Sequence, residues 1–589
     1  MINLIPPALI LIAGSLILPL LKGRTKQIYM IVLPLLTVLY LFNLSEGVYW
    51  KVNVLDYELI FGKVDKLSLA FGYIFAIITF ISSIYSLHVK DNLHLVSAFV
   101  YAGSAQGAIF AGDFVTLFIF WQIMAFAAAF LVFSARTKAA FSAGMRYIMI
   151  HLFGGLLLYG GIKIHYHEIG SLLFNHMELN GLGSWLIFLG FGTTAAFPLL
   201  HGWLPDAYPE STETGTVFLS TFTTNAAVYV FSRGFAGTEF LIYIGVIMVV
   251  FPTFYGIIEN NLRRVLSYSI IAQLGFMIIG IAIGTQLSLN GTIAYAFCQT
   301  LYMALLFMAM GAVLYRTGKI NATDLGGLYK SMPITTILCI VGAASISGVP
   351  FTNGFVSKLM IVSAVADSGM LFIWIALLFA SVGVFIYSGI KIPFFAFFSY
   401  DSGIRTKEAP KHMLIAMGLA SFLCIVIGVL PGLIYSILPY PVDYEPYTAA
   451  HIIDQAHLLA FSALAFTLLV FSGIYPPEIR SINLDVDWFY RKEAAIFMKF
   501  AKFFAKIEYN IIGEAYEFMV IKPVLKMARW LKIIDTSGVD GTYNGMAKGS
   551  MTLSDTVKII QTGKAHDYAF FMVIGIIMLI LIILIPIVI

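Results

Sequence analysis

The chain has 589 residues, of which 60% are hydrophobic and only 11% charged, and its formal net charge is +4. Soluble globular chains carry about 25% charged residues, so this composition excludes a water-soluble fold and points to one dissolved in lipid. Its three cysteines, Cys298, Cys339 and Cys424, stand far apart without a CxxC pair, and no Walker A loop or dinucleotide fingerprint occurs. No metal, iron–sulfur, nucleotide or other cofactor is therefore expected.

In chain order, apolar runs long enough to span a bilayer fall near 4–21, 27–44, 66–87, 93–111, 114–134 and 145–163. More follow near 183–201, 214–233, 239–258, 265–284, 291–315, 333–366, 371–398, 412–438, 455–474 and 568–589. The expected fold is an all-α polytopic membrane protein of about sixteen spans. Numbering the loops alternately puts fifteen Lys and Arg, from Lys22 to Lys411, on one face and five, Lys51, Lys63, Lys66, Lys163 and Arg233, on the other. The positive-inside rule makes the first face cytoplasmic and the N-terminus external, in a cell (plasma) membrane.

Residues 475–567 differ in kind. Lys499, Lys502, Lys506, Asn510, Glu514 and Glu517 recur at helical spacing, with Phe500, Phe503, Phe504 and Ile507 between them. That is an amphipathic helix lying on a membrane surface or along a partner's flank. Pro523 is expected to kink or break it, Gly538, Gly541 and Gly545 to loosen it, and a further helix to cover Leu553–Gln561. The organisation read from the sequence is 1–112, N-terminal spans; 113–258 and 259–438, two halves; 439–474, one more span; 475–567, the amphipathic region; and 568–589, a terminal anchor.

Two spans are interrupted at corresponding places in the halves, at Phe197-Pro198-Leu199-Leu200-His201-Gly202-Trp203-Leu204-Pro205-Asp206-Ala207 and at Ser347-Gly348-Val349-Pro350-Phe351-Thr352-Asn353-Gly354-Phe355-Val356-Ser357-Lys358. Broken helices in an internal repeat mark transport sites. These motifs resemble the antiporter-like family of membrane subunits in complex I, Mrp sodium/proton antiporters, membrane-bound hydrogenases and archaeal sulfur reductases. So do Arg264-Val265-Leu266-Ser267-Tyr268-Ser269 and Asp324-Leu325-Gly326-Gly327-Leu328. Asp487-Trp488-Phe489-Tyr490-Arg491 and Gln561-Thr562-Gly563 resemble the chain-L type, with its long lateral helix on the cytoplasmic side. The resemblance implies two inverted five-helix repeats, neighbouring antiporter-like and small membrane subunits, redox subunits acting indirectly, and no nucleic acid. It implies H+ or Na+ translocation driven by chemistry elsewhere, the chain itself being non-catalytic. A complete Mrp-type antiporter subunit is the alternative.

Four places depart from the family pattern. Gln122 follows Trp121 where the family has a glutamate; Thr193 stands where it has a lysine, and Asn225 or Leu219 where it often has a lysine or histidine; Gln299 and Met303 replace a histidine and a lysine. None carries charge at neutral pH, so the front half is expected to have lost ion transfer. The remaining ion-path candidates are Lys391, Lys411, Lys358, Glu408 and His151. For Lys358 and Lys411 the competing reading is snorkelling, for Lys391 a locking ion pair, and for His151 a satisfied structural histidine. His201 is read as a water gate, Asp206, Glu210 and Glu213 as a solvated or partner-binding loop, and Asp113 as a helix cap.

Overall fold

The computed structural model describes all residues except 1–4, 55–56, 474–477, 481–482, 559–564 and 589. Within it the chain forms two compact units, residues 1–487 and 488–589. Among the described residues eleven helices are long and apolar enough to cross a membrane, and four shorter apolar ones accompany them.

The first unit opens with α1 (Pro7–Ser15) and α2 (Gly23–Phe42). An antiparallel hairpin follows, β1 (Gly47–Val54) with β2 (Tyr57–Val64), then α3 (Lys66–Tyr85) and α4 (Asn92–Phe110). The hairpin occupies what the hydropathy pattern leaves as a plain loop.

The first half of the bundle comprises α5 (Phe114–Phe133), α6 (Lys138–Ile169), α7 (Leu182–Thr194), α8 (Trp203–Glu210), α9 (Gly215–Leu219), α10 (Thr223–Gly234) and α11 (Phe240–Ile258). The second comprises α12 (Leu262–Ile283), α13 (Gln286–Thr317), α14 (Pro333–Ser347), α15 (Asn353–Asp367), α16 (Leu371–Phe398) and α17 (Lys411–Val429), followed by α18 (Ala449–Phe471). Local chemistry repeats between the halves. Asp113 caps α5 by accepting from Val115 N and Thr116 N, and Asn261 caps α12 by accepting from Arg263 N and Arg264 N, each satisfying orphan helix donors. The residue before each first helix makes an antiparallel bridge to the residue beyond the second, Asp113 to Leu173 and Asn261 to Asn321. Both second helices have 32 residues.

The repeats are inverted. Asp113 lies beside the hairpin, where its carboxylate accepts from Ile60 N at 2.6 Å. Arg263 opens α12 at the opposite end, where it donates to Ser211 O and Thr212 O at 3.0 and 2.9 Å. The basic residues gather at that second end through Arg136–Asp91, Arg146–Asp206 and Lys330–Asp401 pairs. Lys51–Glu58 and Arg233–Asp65 mark the other. The core sits on α12 and α13, each 94% buried over its most apolar stretch, against 17% for α18, whose apolar side chains are largely exposed.

The second unit is helical throughout its described residues up to Lys558: α19 (Asp487–Ile507), which begins at the last residue of the first unit, then α20 (Lys522–Ile533) and α21 (Asp540–Lys558), joined through π turns. The expected break at Pro523 does not occur. Pro523 lies in the first turn of α20 directly after a π turn, where a missing N–H costs little. Gly538 falls in the π turn Ile534–Val539, and Gly541 and Gly545 within α21; each glycine costs only about 1 kcal/mol in a helix interior. A last apolar helix, α22 (Ala565–Val588), closes the unit. The Gln561-Thr562-Gly563 motif and the end of the expected Leu553–Gln561 helix lie outside the described residues.

Candidate functional site

Both interruptions use the same backbone device. After α7 the chain turns through left-handed residues Ala196 (φ 55°) and Leu199 (φ 71°); after α14 it turns through Gly348 (φ 72°) and Phe351 (φ 68°). The spacing is three residues in each. Left-handed backbone at a non-glycine residue is strained, and such strain persists only where the surroundings hold it. At the first break Trp203 Nε1 donates to Thr193 O at 3.0 Å, clipping α8 to the end of α7. At the second, Gly354 packs so closely on the Ser345 carbonyl that a side chain there would collide with backbone.

The neutral replacements form two groups, one within the front half and one where α10 of the front half meets α12 and α13 of the second. In one, Gln122 and Thr193 lie against the paired glycines Gly155 and Gly154 of α6, which leave room for them. One turn away His151 bonds through Nδ1 to Tyr147 O at 3.0 Å, stacks on Tyr147 at 4.0 Å and meets the edge of Trp203 at 4.6 Å. Its Nε2 is buried without a hydrogen-bond partner. In the other group Asn225 Nδ2 donates to Thr221 O at 2.9 Å and to Gln299 Oε1 and Thr300 Oγ1 at 3.0 Å. Tyr302 donates to Gln273 Oε1 at 2.6 Å, and Gln273 Nε2 reaches Met303 Sδ at 3.4 Å. Every group here is an amide, hydroxyl, imidazole or thioether. Two ion pairs of this half, Arg233–Asp65 and Arg146–Asp206, lie at its two ends.

Two lysines of the second half are deeply buried. Lys358, only 3% exposed on α15, has no hydrogen-bond partner at Nζ and stands 5.2 Å over the Phe276 ring, a cation–π contact. Lys391 lies on α16 between two π turns, Phe385–Ile390 and Phe394–Phe398. It donates to Ile257 O and Glu259 O at 2.6 and 2.7 Å and pairs with Glu478 at 2.7 Å. Glu408 caps α14, accepting from Ile334 N at 2.8 Å and Thr335 Oγ1 at 2.6 Å. Lys411 is exposed at the start of α17. Among the described residues no hydrogen bond joins Lys358, Lys391, Lys411, Glu408 and His151 to one another.

Sequence reasoning missed the segment around residues 478–487. Besides Glu478, Arg480 pairs with Asp324, Asn483 donates to Glu259 at 3.1 Å, and Leu484 O accepts from Tyr255 at 2.7 Å. Asp485 accepts from Tyr268 at 2.6 Å and pairs with His201 at 3.2 Å, their side chains 5% and 3% exposed. Burial works to raise the Asp485 carboxyl, but the hydrogen bond and charge of His201 outweigh it and hold it below the ordinary value. This strap touches α11, α12, α16 and the first break. No periodicity announces it, because its contacts are long-range.

Two inverted repeats, each with an interrupted third span, and polar positions buried along the core define a polytopic membrane protein with an internal transporter-type repeat. Residues 111–384 match the family described as NADH:quinone oxidoreductase/Mrp antiporter, TM, and the resemblance carried by the sequence motifs holds. One of the Na(+)/H(+) antiporter subunits of Alkalihalophilus pseudofirmus is 25% identical over 576 residues, covering 88% of this chain and 66% of that protein. This chain thus spans just under two thirds of that relative's length. Among solved structures, a chain of the membrane-bound sulfane sulfur reductase, an archaeal respiratory membrane complex, matches with a TM-score of 0.70 at 23% identity, over 98% of this chain and all of that one. A chain of the Mrp complex from Dietzia sp. DQ12-45-1b matches with a TM-score of 0.73 at 21% identity, over 84% of this chain and 59% of that one. At these identities the likeness is one of fold.

Proposed function

We propose that this chain is the antiporter-like subunit of a membrane-bound respiratory complex, of the complex I-related, hydrogenase or sulfur reductase kind. Redox chemistry in other subunits drives H+ or Na+ through its second half, while its front half serves as scaffold. The basic end faces the cytoplasm, and the amphipathic region lies along partner subunits on that side. The observation that carries the reading is the uneven distribution of buried charge. Gln122, Thr193 and Asn225 of the front half are neutral, as are Gln299 and Met303 on α13, whereas Lys358 and Lys391 are buried cations further along the second half. A charge in a membrane interior costs about 2.5–3.5 kcal/mol or more and is retained where it serves an ion path or a pairing role. The match over 98% of this chain to the sulfane sulfur reductase chain, amphipathic region included, favours this assembly. The 88% coverage by an Mrp subunit favours the second reading, an Mrp-type cation/proton antiporter subunit.

The test is ion flux in proteoliposomes of the purified complex. Gln122→Leu and Thr193→Val are expected to leave flux unchanged and Lys358→Met to abolish it. Loss of flux in Gln122→Leu with assembly intact overturns the reading.

A further inference from the structure

At the basic end three titratable side chains from three segments form one hydrogen-bonded line. His88, after α3, faces Glu213 Oε1 through Nε2 at 3.3 Å and His412 Nε2 through Nδ1 at 3.0 Å. Glu213 follows α8 in the first repeat, and His412 lies in the first turn of α17 in the second. The side chains of His88 and Glu213 are 18% and 26% exposed, within reach of solution. None of the three belongs to the neutral groups or the buried cations described above.

We propose that Glu213, His88 and His412 form a proton relay that collects at the mouth of the front half and delivers to the second. The proposal rests on the reading that the second half moves ions. An imidazole bonded through both nitrogens can take a proton at one while giving one up at the other. In the loaded state Glu213 carries the proton and donates to His88 Nε2, while His88 Nδ1–H donates to His412 Nε2. On transfer the O–H bond of Glu213 breaks as Nε2–H forms on His88; Nδ1–H of His88 breaks as Nε2–H forms on His412. Glu213 is left a carboxylate and His412 an imidazolium; its Nδ1–H bond then breaks as a water molecule takes the proton, and exchange with water returns both rings to their starting tautomers. One proton crosses from one repeat to the other, and nothing is oxidised.

Other titratable side chains surround the line. Tyr85 of α3, His94 at the start of α4, Arg263 of α12 and Tyr315 of α13 face the line, with Asp91 beside His94. Burial works to raise the Glu213 carboxyl, but the His88 hydrogen bond and the charges of His88 and Arg263 bring it below its ordinary value. Glu213 therefore returns to the carboxylate after each delivery. In the front half beyond this mouth, Gln122, Thr193 and Asn225 carry no charge, which favours a lateral exit for a proton collected there.

The experiment is proton-coupled flux by the intact complex in proteoliposomes with an internal pH dye. His88→Gln keeps a hydrogen-bonding side chain but cannot relay. It is expected to slow flux at least tenfold with subunit composition unchanged, and added imidazole to restore part of the rate. His412→Asn is expected to do the same. Wild-type rates in both variants overturn the relay. So does slow flux that imidazole does not restore, which marks a structural brace. No flux from the wild-type complex overturns the proposed function and the relay with it.

Discussion

Lys391 on α16 reaches 2.7 Å to Glu478, a carboxylate supplied from outside the two repeats by the strap that leads into the second unit. Their side chains are 0% and 8% exposed. A buried pair of this kind contributes little over two apolar residues, but breaking it strands a charge at a cost of about 3–5 kcal/mol. Glu478→Gln is therefore expected to lower the thermal midpoint of the detergent-solubilised protein sharply, and Lys391→Met with Glu478→Met to recover most of the loss. Additive losses in the double variant, read by differential scanning fluorimetry, would show that the two residues act separately.

The strap should loosen in acid. Asp485 is held below the ordinary carboxyl value, so its ionised form is favoured in the folded state. It contributes stability that is fully present above the unfolded value, near about 3.9, and is lost as pH falls through the folded one. Hydrogen exchange around residues 483–487 is expected to accelerate from about pH 4 downward. In Asp485→Asn it should be fast at every pH; an unchanged profile in that variant would count against the His201–Asp485–Tyr268 contact.

Two glycine substitutions should differ in severity. At Gly155 an added methyl group meets the amide of Gln122, a side chain able to shift; at Gly354 it meets the Ser345 carbonyl, fixed in the last turn of α14. Overpacking relieved by a rotamer change costs about 1–3 kcal/mol, and overlap with backbone costs more. Gly155→Ala is expected to assemble with a lowered midpoint and Gly354→Ala to be lost from the membrane fraction, as judged by expression and size-exclusion profiles.

Glu408 closes the start of α14 by accepting from Ile334 N and Thr335 Oγ1. Charge-assisted hydrogen bonds of this kind are worth about 1.5–3 kcal/mol. Glu408→Ala is expected to destabilise the protein by a similar amount while Glu408→Gln retains much of the cap. Flux that falls in Glu408→Gln at unchanged stability would assign the carboxylate to ion movement instead.

Much of this protein was legible in one dimension. Helices in lipid must be apolar over a fixed length, so hydropathy alone marks spans such as Leu262–Ile283. A break needs proline and glycine, so both interruptions stand out in the residue order. The neutral identities of Gln122, Thr193, Asn225, Gln299 and Met303 are equally plain, because side-chain chemistry does not depend on folding.

Partnership was not legible. The chain shows a lysine at 391 and a glutamate at 478, 87 positions apart, and nothing in either neighbourhood names the other. The same holds for His88 with His412, for His201 with Asp485, and for Asn225 with Gln299. Local sequence sets which segments become helices through backbone and solvation energetics that act over a few residues. Which buried charge meets which counter-charge is set by how those helices pack, and that is a property of the folded bundle.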